Sequence, residues 1–205
     1  MVTLETWAVG YCRARGYPDP EPGPAGLWMR IDLPEQVGRH VLTAFEPDAY
    51  HRLVASVTEP FVYVEALAPR AAVLALTPAG WTPRDTHWLM TTTLIAAEPA
   101  LPAGYAARLV EGPLTVNLEI DAPDGAPAAT GRCGLDGAVA TFDRIVTEEA
   151  HRRLGLGKAV MNQLSAAALA RGATTGALIA TPDGRALYRA MGWAEVGEVT
   201  SVISG

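Results

Sequence analysis

The sequence predicts an α/β (α+β) fold, a mixed, mostly antiparallel twisted sheet with flanking helices, preceded by a smaller α/β N-terminal half. Three observations carry this. Four β-rich runs follow one another between residues 105 and 146, and Asp124-Gly125 and Asp136-Gly137 mark tight turns between the last three. A strand-like run, a glycine-containing turn, a helical run and another strand-like run then span residues 138–180, which is a β-α-β crossover and requires a parallel pair. Upstream of Glu98-Pro99-Ala100-Leu101-Pro102, residues 1–100 alternate short strands and helices of their own, so the break divides the chain into halves 1–100 and 101–205.

Residues 4–15 read as a helix with Leu4, Trp7, Ala8 and Tyr11 on one face. Pro18, Pro20, Pro22, Gly23, Pro24 and Gly26 exclude helix from the loop that follows. Residues 27–33 and 39–45 are two strands joined by a turn at 34–38, and Asp48 is placed to cap a helix over 49–57. A β-rich run at 61–67, a short helix at 70–76 and a strand at 86–95 complete the first half. In the second half, strands at 105–110, 114–120, 128–135 and 138–146 form the meander. A helix at about 155–171 shows Leu156, Val160, Leu164 and Ala167 (with Ala168) at helical spacing, and Gly172 stops it. A strand at 176–180, a helix at 183–191 and a strand near 194–203 finish the chain.

Composition narrows the class of function. Of the 205 residues, 49% are apolar and 19% charged, as in a globular protein that buries a core. A net charge of −6 disfavours nucleic acid as a general partner and mildly favours cationic ones. Cys12 and Cys133 stand far apart without CxxC spacing, and His40, His51 and His87 lack ligand spacing, so no metal is expected. Neither a leader nor an apolar run of membrane-spanning length is read, so the expected location is cytoplasmic, with no membrane partner.

The stretch most charged with chemical meaning is Arg152-Arg153-Leu154-Gly155-Leu156-Gly157-Lys158, between strand and helix. The first N–H groups of a helix have no intrahelical acceptor, and the helix dipole adds positive potential there. Gly155 and Gly157 let a phosphate approach the main chain, and Arg152, Arg153 and Lys158 bracket the turn, so a phosphorylated ligand is expected. Neither the Walker spacing nor the dinucleotide Gly-x-Gly-x-x-Gly fits, since residue 160 is Val160. What remains, Arg152-x-x-Gly155-x-Gly157, resembles the pyrophosphate signature of the GCN5-related N-acetyltransferase (GNAT) family, whose members use acetyl-coenzyme A. Downstream, Leu187, Tyr188, Gly192 and Trp193 resemble the family's Leu-Tyr-x-x-x-Gly-Phe, while Thr181 and Gly184 stand where Asn and Ala are common.

The resemblance covers about residues 101–205 and implies a GNAT-like sheet, in which the fourth and fifth strands of the core splay apart. It places the acetyl-coenzyme A pyrophosphate on the N–H groups of Arg153, Leu154, Gly155, Leu156, Gly157 and Lys158, with Arg152 beside them. The pantetheine arm would run along Ile145, Val146 and Thr147, and Thr181 would take the place of the Asn that often holds the coenzyme. Tyr188 is implied as the acid to the coenzyme sulfur, protonated at neutral pH, although a packed helix tyrosine reads the same way. Glu119 and Asp143 are the carboxylates on strands where family members often carry the base, and each also reads as a solvent-facing strand residue. His151 reads as a loop residue.

One departure is plain: only Glu111-Gly112-Pro113 joins the first two strands of the second half, where the family places helices that often wall the substrate site. Another element must build that wall. The first half has no Arg-x-x-Gly-x-Gly and reads as structural, substrate-shaping, or a degenerate copy of the same fold. Trp28 and Trp88 are core residues or acceptor-pocket walls. The implied activity is acetyl transfer from acetyl-coenzyme A to a primary amine of a small molecule or protein, the alternative being a non-catalytic acyl-coenzyme A-binding module. The sequence leaves a homodimer open.

Overall fold

A computed structural model describes residues 2–97 and 100–205; the Glu98-Pro99 part of the expected break lies outside the described residues. The elements run α1 (Leu4–Arg15), β1 (Glu21–Gly23), β2 (Gly26–Leu33), β3 (Gln36–Leu42), α2 (Pro47–Ser56), β4 (Val62–Leu67), α3 (Arg70–Leu74), β5 (Trp81–Pro83) and β6 (His87–Thr93). Then come β7 (Ala106–Glu111), β8 (Thr115–Asp121), β9 (Pro127–Asp136), β10 (Val139–Thr147), α4 (Leu156–Ala170), β11 (Thr175–Ala180), α5 (Pro182–Ala190) and β12 (Ala194–Ser204). The mixed, mostly antiparallel sheet with flanking helices agrees with the expected class.

Differences from the sequence reading are local and have physical causes. The turn between β2 and β3 is the two residues Pro34-Glu35, so β3 begins at Gln36 rather than residue 39. Helix α2 starts at Pro47, with Glu46 and not Asp48 at its N-cap; proline's fixed φ suits the first helical position. The short strands β1 and β5 were not expected, because Pro22 and Pro83 lie within them and proline is tolerated only at sheet margins. In α1, Thr3 Oγ1 accepts from Thr6 N at 3.2 Å, and Gly16 ends the helix at φ 72°.

Strands from both halves share one sheet in the order β1-β2-β3-β4-β12-β6-β11-β10-β9-β8-β7. The order has a repeat in it. Each half contains an antiparallel hairpin (β2/β3, β9/β10) whose second strand crosses over through a helix to a parallel neighbour: β3-α2-β4 and β10-α4-β11. After a further helix each half contributes a last strand, β6 or β12. These are exchanged: β4 pairs with β12, β11 pairs with β6, and β6 and β12 pair antiparallel at the centre.

Helix α4 buries Leu156, Val160, Leu164 and Ala168 against β8, β9 and β10 on one face of the sheet. On the other face α1 packs mainly on β9 and β10 and reaches β2 and β3, burying Trp7, Ala8 and Tyr11 over Met29, Val41, Leu89, Ala177 and Val199. The approach is close. A Cβ on Gly134 would lie 1.9 Å from Gly10 O, and one on Gly10 would lie 2.2 Å from Thr141 Oγ1. Among the described residues no helix is long and apolar enough to cross a membrane.

Candidate functional site

Strands β10 and β11 pair in parallel only at Val139–Thr175, Ala140–Gly176 and Thr141–Ala177. Beyond that point they part. Leu178, Ile179 and Ala180 pair with β6 on the other side, while β10 breaks register with β9 between Asp143 and Val146. Arg144 at this bulge has φ 50°, the left-handed region that a non-glycine residue enters only when its surroundings force it, at a cost of order 1–3 kcal/mol. The splay opens a slot, and a cavity of about 850 Å³ runs through it.

At one end of the cavity lies the α4 turn. Arg153 and Gly155 take left-handed φ of 63° and 82°, which turns the chain so that consecutive N–H groups face outward at the helix start. Among the described residues, the N–H groups of residues 153–158 have no acceptor within the chain. Arg152, Arg153 and Lys158 are exposed and unpaired with any carboxylate among the described residues, so the turn carries positive charge without internal neutralisation. Arg152 Nε donates to Thr147 O at 3.3 Å, tying the turn to the end of β10. A Cβ on Gly157 would point between Leu187 and Thr147. Ile145, Val146 and Thr147 line the cavity from β10, as does Thr181, whose Oγ1 accepts from Gly184 N at 3.2 Å and caps α5. Leu154, Gly155 and Lys158 line a second hollow of about 440 Å³ beside Leu101 and Pro102.

Tyr188 lies on α5 in the middle of the cavity wall, 8% exposed, in contact with Trp193, which in turn meets Phe142 edge-on. Burial, reinforced by the negative charge of Asp143, pushes its hydroxyl up to about 12. Its hydroxyl makes no hydrogen bond among the described residues. Helix α5 is fixed by Arg185, which donates to Glu195 at 2.6 and 2.7 Å and stacks 4.0 Å from the Trp88 ring centroid. Trp88 therefore serves α5 rather than the cavity, and Trp28 packs on His40 at 4.6 Å and over Gly38.

The two carboxylates separate. Asp143 lines the cavity with a side chain 14% exposed, and its oxygens accept from Arg15 Nε at 2.7 Å and Nη2 at 3.1 Å. Glu119 is exposed on β8, ion-paired with Arg108 of β7, and does not line the cavity. His151 bonds Tyr105 Oη at 2.9 Å and also stays outside.

Helix α1 supplies one wall of the cavity. Trp7, Tyr11 and Arg15, at i, i+4 and i+8, line the cavity, with Arg15 4.6 Å and Arg39 5.3 Å from the Tyr11 ring centroid. Farther along, Arg39 of β3 donates to Glu65 of β4 at 2.5 Å, and Ser201 Oγ of β12 donates to the same oxygen at 3.1 Å. Sequence reading missed Arg15, Arg39 and Glu65. No local signal separates them: Arg39 begins one strand run and Glu65 lies within another, lone charges that look like the exposed Glu119.

Residues 118–195 match the family model of the acetyltransferase (GNAT) domain. The chain carries a GNAT domain. A GCN5-related N-acetyltransferase from Kribbella flavida superposes with a TM-score of 0.67 at 18% identity, over 95% of this chain and 92% of that one. A GNAT-family protein of Novosphingobium aromaticivorans DSM 12444 gives 0.60 at 15%, over 90% and 89%. A tandem GNAT protein from the clavulanic acid biosynthesis pathway gives 0.54 at 14%, over 78% and 68%. No curated protein sequence matches. These likenesses establish the fold, and the GNAT fold supports acyl transfer from acyl-coenzyme A to an amine. Family members use acyl-coenzyme A, and this GNAT domain has what such a ligand needs: outward N–H groups at a glycine turn, unneutralised arginines and a splayed strand pair.

Proposed function

We propose that this protein is an acetyl-coenzyme A-dependent N-acetyltransferase acting on a primary amine of a small molecule, with residues 1–100 shaping the acceptor site. The observation that carries this reading is one cavity that joins the charged α4 turn, the β10/β11 slot, the unpartnered Tyr188 hydroxyl and the wall of α1. Arg152 and the N–H groups of residues 153–158 would hold the pyrophosphate; the main chain of Ile145, Val146 and Thr147, with Thr181 opposite, would hold the arm. The co-substrate supplies an acyl carbon activated as a thioester. The amine nitrogen bonds to that carbon, the carbon–sulfur bond breaks, and the departing sulfur takes a proton from Tyr188, which burial keeps protonated. The proton lost by the amine leaves toward Asp143, whose place beside α1 is fixed by Arg15, and on to solvent.

Calorimetric titration with acetyl-coenzyme A, followed by thiol release over a panel of small amines, tests the reading. Micromolar binding with amine-dependent thiol release is expected. Binding without release from any amine would leave an acyl-coenzyme A-binding module, and absence of binding would overturn both readings.

A further inference from the structure

The end of the cavity away from the α4 turn is made by three neighbouring strands. Glu65 of β4 and Ser201 of β12 are Cα partners, and Arg84 N, just after β5, donates to Ser201 O at 2.9 Å. Cross-strand partners point the same way, and Glu65, Ser201 and Arg84 all line the cavity. Glu65 is 4% exposed, and its Oε1 is occupied by Arg39 and Ser201. Its Oε2 is buried with no partner among the described residues. A buried carboxylate oxygen without a donor within the chain is expensive, and a ligand's cationic head is one donor that would complete it. Arg84 is exposed and has no carboxylate partner among the described residues.

Charge decides what fits. Arg39, Glu65 and Arg84 sum to one positive charge, so a head bearing only an ammonium would meet a net cation. A head bearing only a carboxylate would leave Glu65 Oε2 without a donor. A head bearing both charges satisfies both. Between β4 and β11 lie β12 and β6, three strand spacings, or about 14 Å measured along the sheet. The head is thus remote from the acyl slot, and the nitrogen that receives the acyl group must be a different one.

We propose that this end of the cavity binds the zwitterionic head of an α-amino-acid-type molecule between Glu65 and Arg84. The head site stands on its own geometry, apart from the transferase reading.

The test is calorimetric titration of L-lysine and L-ornithine, beside 1,5-diaminopentane, which lacks the carboxylate, and 6-aminohexanoate, which lacks the α-amine. The wild type, Glu65→Gln and Arg84→Ala are compared. One of the two amino acids should bind roughly 10- to 100-fold more tightly than either truncated analogue, the loss expected for one charge-assisted hydrogen bond. Glu65→Gln should abolish the preference over 6-aminohexanoate, and Arg84→Ala, at an exposed position, the preference over the diamine. No binding of either amino acid, or preferences unchanged in both variants, would overturn the head site. Acetyl-coenzyme A titrated separately isolates the other reading. Its failure with the amino-acid preference intact would sink the transferase alone, and amine turnover without a zwitterion preference would sink the head site alone.

Discussion

Replacing Gly157 by alanine should move stability and coenzyme binding in opposite directions. Gly157 is the second residue of α4 with an ordinary helical backbone, and a Cβ there would stand 3.4 Å from Leu187 Cδ2 and 3.8 Å from Thr147 Oγ1. Those are normal contacts, so the fold accommodates the methyl. Glycine to alanine inside a helix gains up to about 1 kcal/mol, and less near an end. In a chain of this size that corresponds to a rise in Tm of roughly 1–4 °C. The same methyl projects into the cavity wall between β10 and α5, where the proposed ligand passes. Crowding of a fitted site costs about 1–3 kcal/mol, so the Kd for acetyl-coenzyme A should rise about 5- to 150-fold. Differential scanning fluorimetry and calorimetry on one preparation read both effects. A stabilised variant with unchanged affinity would refute the placement of the coenzyme along this turn, and a destabilised one would refute the packing argument.

Tyr188→Phe should lower kcat by roughly 10²- to 10⁴-fold while the Kd for acetyl-coenzyme A stays within about threefold; an equal loss of turnover and of coenzyme affinity would make the hydroxyl structural rather than catalytic. Because burial and the charge of Asp143 push the Tyr188 hydroxyl up to about 12, it stays protonated across the ordinary assay range, and the pH–rate profile should show no alkaline fall from it below about pH 11. A limb near pH 10 that disappears in the Phe variant would contradict this. Burial pushes the thiols of Cys12 and Cys133 up to about 12 from 9.0. The unfolded chain therefore loses these protons first, so their stabilisation is complete below pH 9 and declines as pH rises toward 12. Urea unfolding at pH 8 and pH 10 should show the loss, and a Cys12→Ala, Cys133→Ala variant should show less of it; equal slopes in both would reject the thiols as its source. Gly134→Ala puts a Cβ 1.9 Å from Gly10 O and 2.7 Å from Ala14 N, so α1 must lift from β9. The cost should be about 3 kcal/mol, and a Tm within about 2 °C of the wild type would show that α1 moves freely.

The sequence read well wherever a signal was local. The bounds of α1 followed from the spacing of Leu4, Trp7, Ala8 and Tyr11, and the β10-α4-β11 crossover from a glycine turn between two periodicities. The turn at residues 152–158 was legible as a turn opening a helix because its glycines and the helical run after it are consecutive in sequence. What stayed hidden was long-range. Nothing near Arg15 announces Asp143, 128 positions away, and nothing near Glu65 announces Ser201, 136 positions away. Glu119 and Asp143 look alike in sequence, each a lone acid in a strand. Only sheet position separates them, since Asp143 stands at the splay opposite α1 and Glu119 two strands out, beside Arg108. The exchange of β6 and β12 was equally unreadable, because strand propensity does not say which neighbour a strand will choose.

The repeat in the sheet bears on where the proposed acceptor end lies. The connection from β3 to α2 occupies the same topological place as the α4 turn, yet its chemistry is reversed. It has Thr43, Ala44, Phe45 and Glu46 where the other ends in Arg152, Arg153, Leu154 and Gly155, and Pro47 and Asp48 open the helix where Leu156 and Gly157 open the other. Proline removes one of the N–H donors, and two carboxylates at a helix start repel the charge a phosphate would bring. The first half therefore lacks a phosphate turn of the kind proposed for the second. Strand exchange nevertheless joins its β3 and β4, through β12 and β6, to the slot of the GNAT domain, and α1 covers the junction. A half without a phosphate turn is free to place Arg39 and Glu65 on the face that the other half opens. The proposed division of labour rests on that geometry: the second half would carry the activated acyl group, and the first would receive the molecule to be modified.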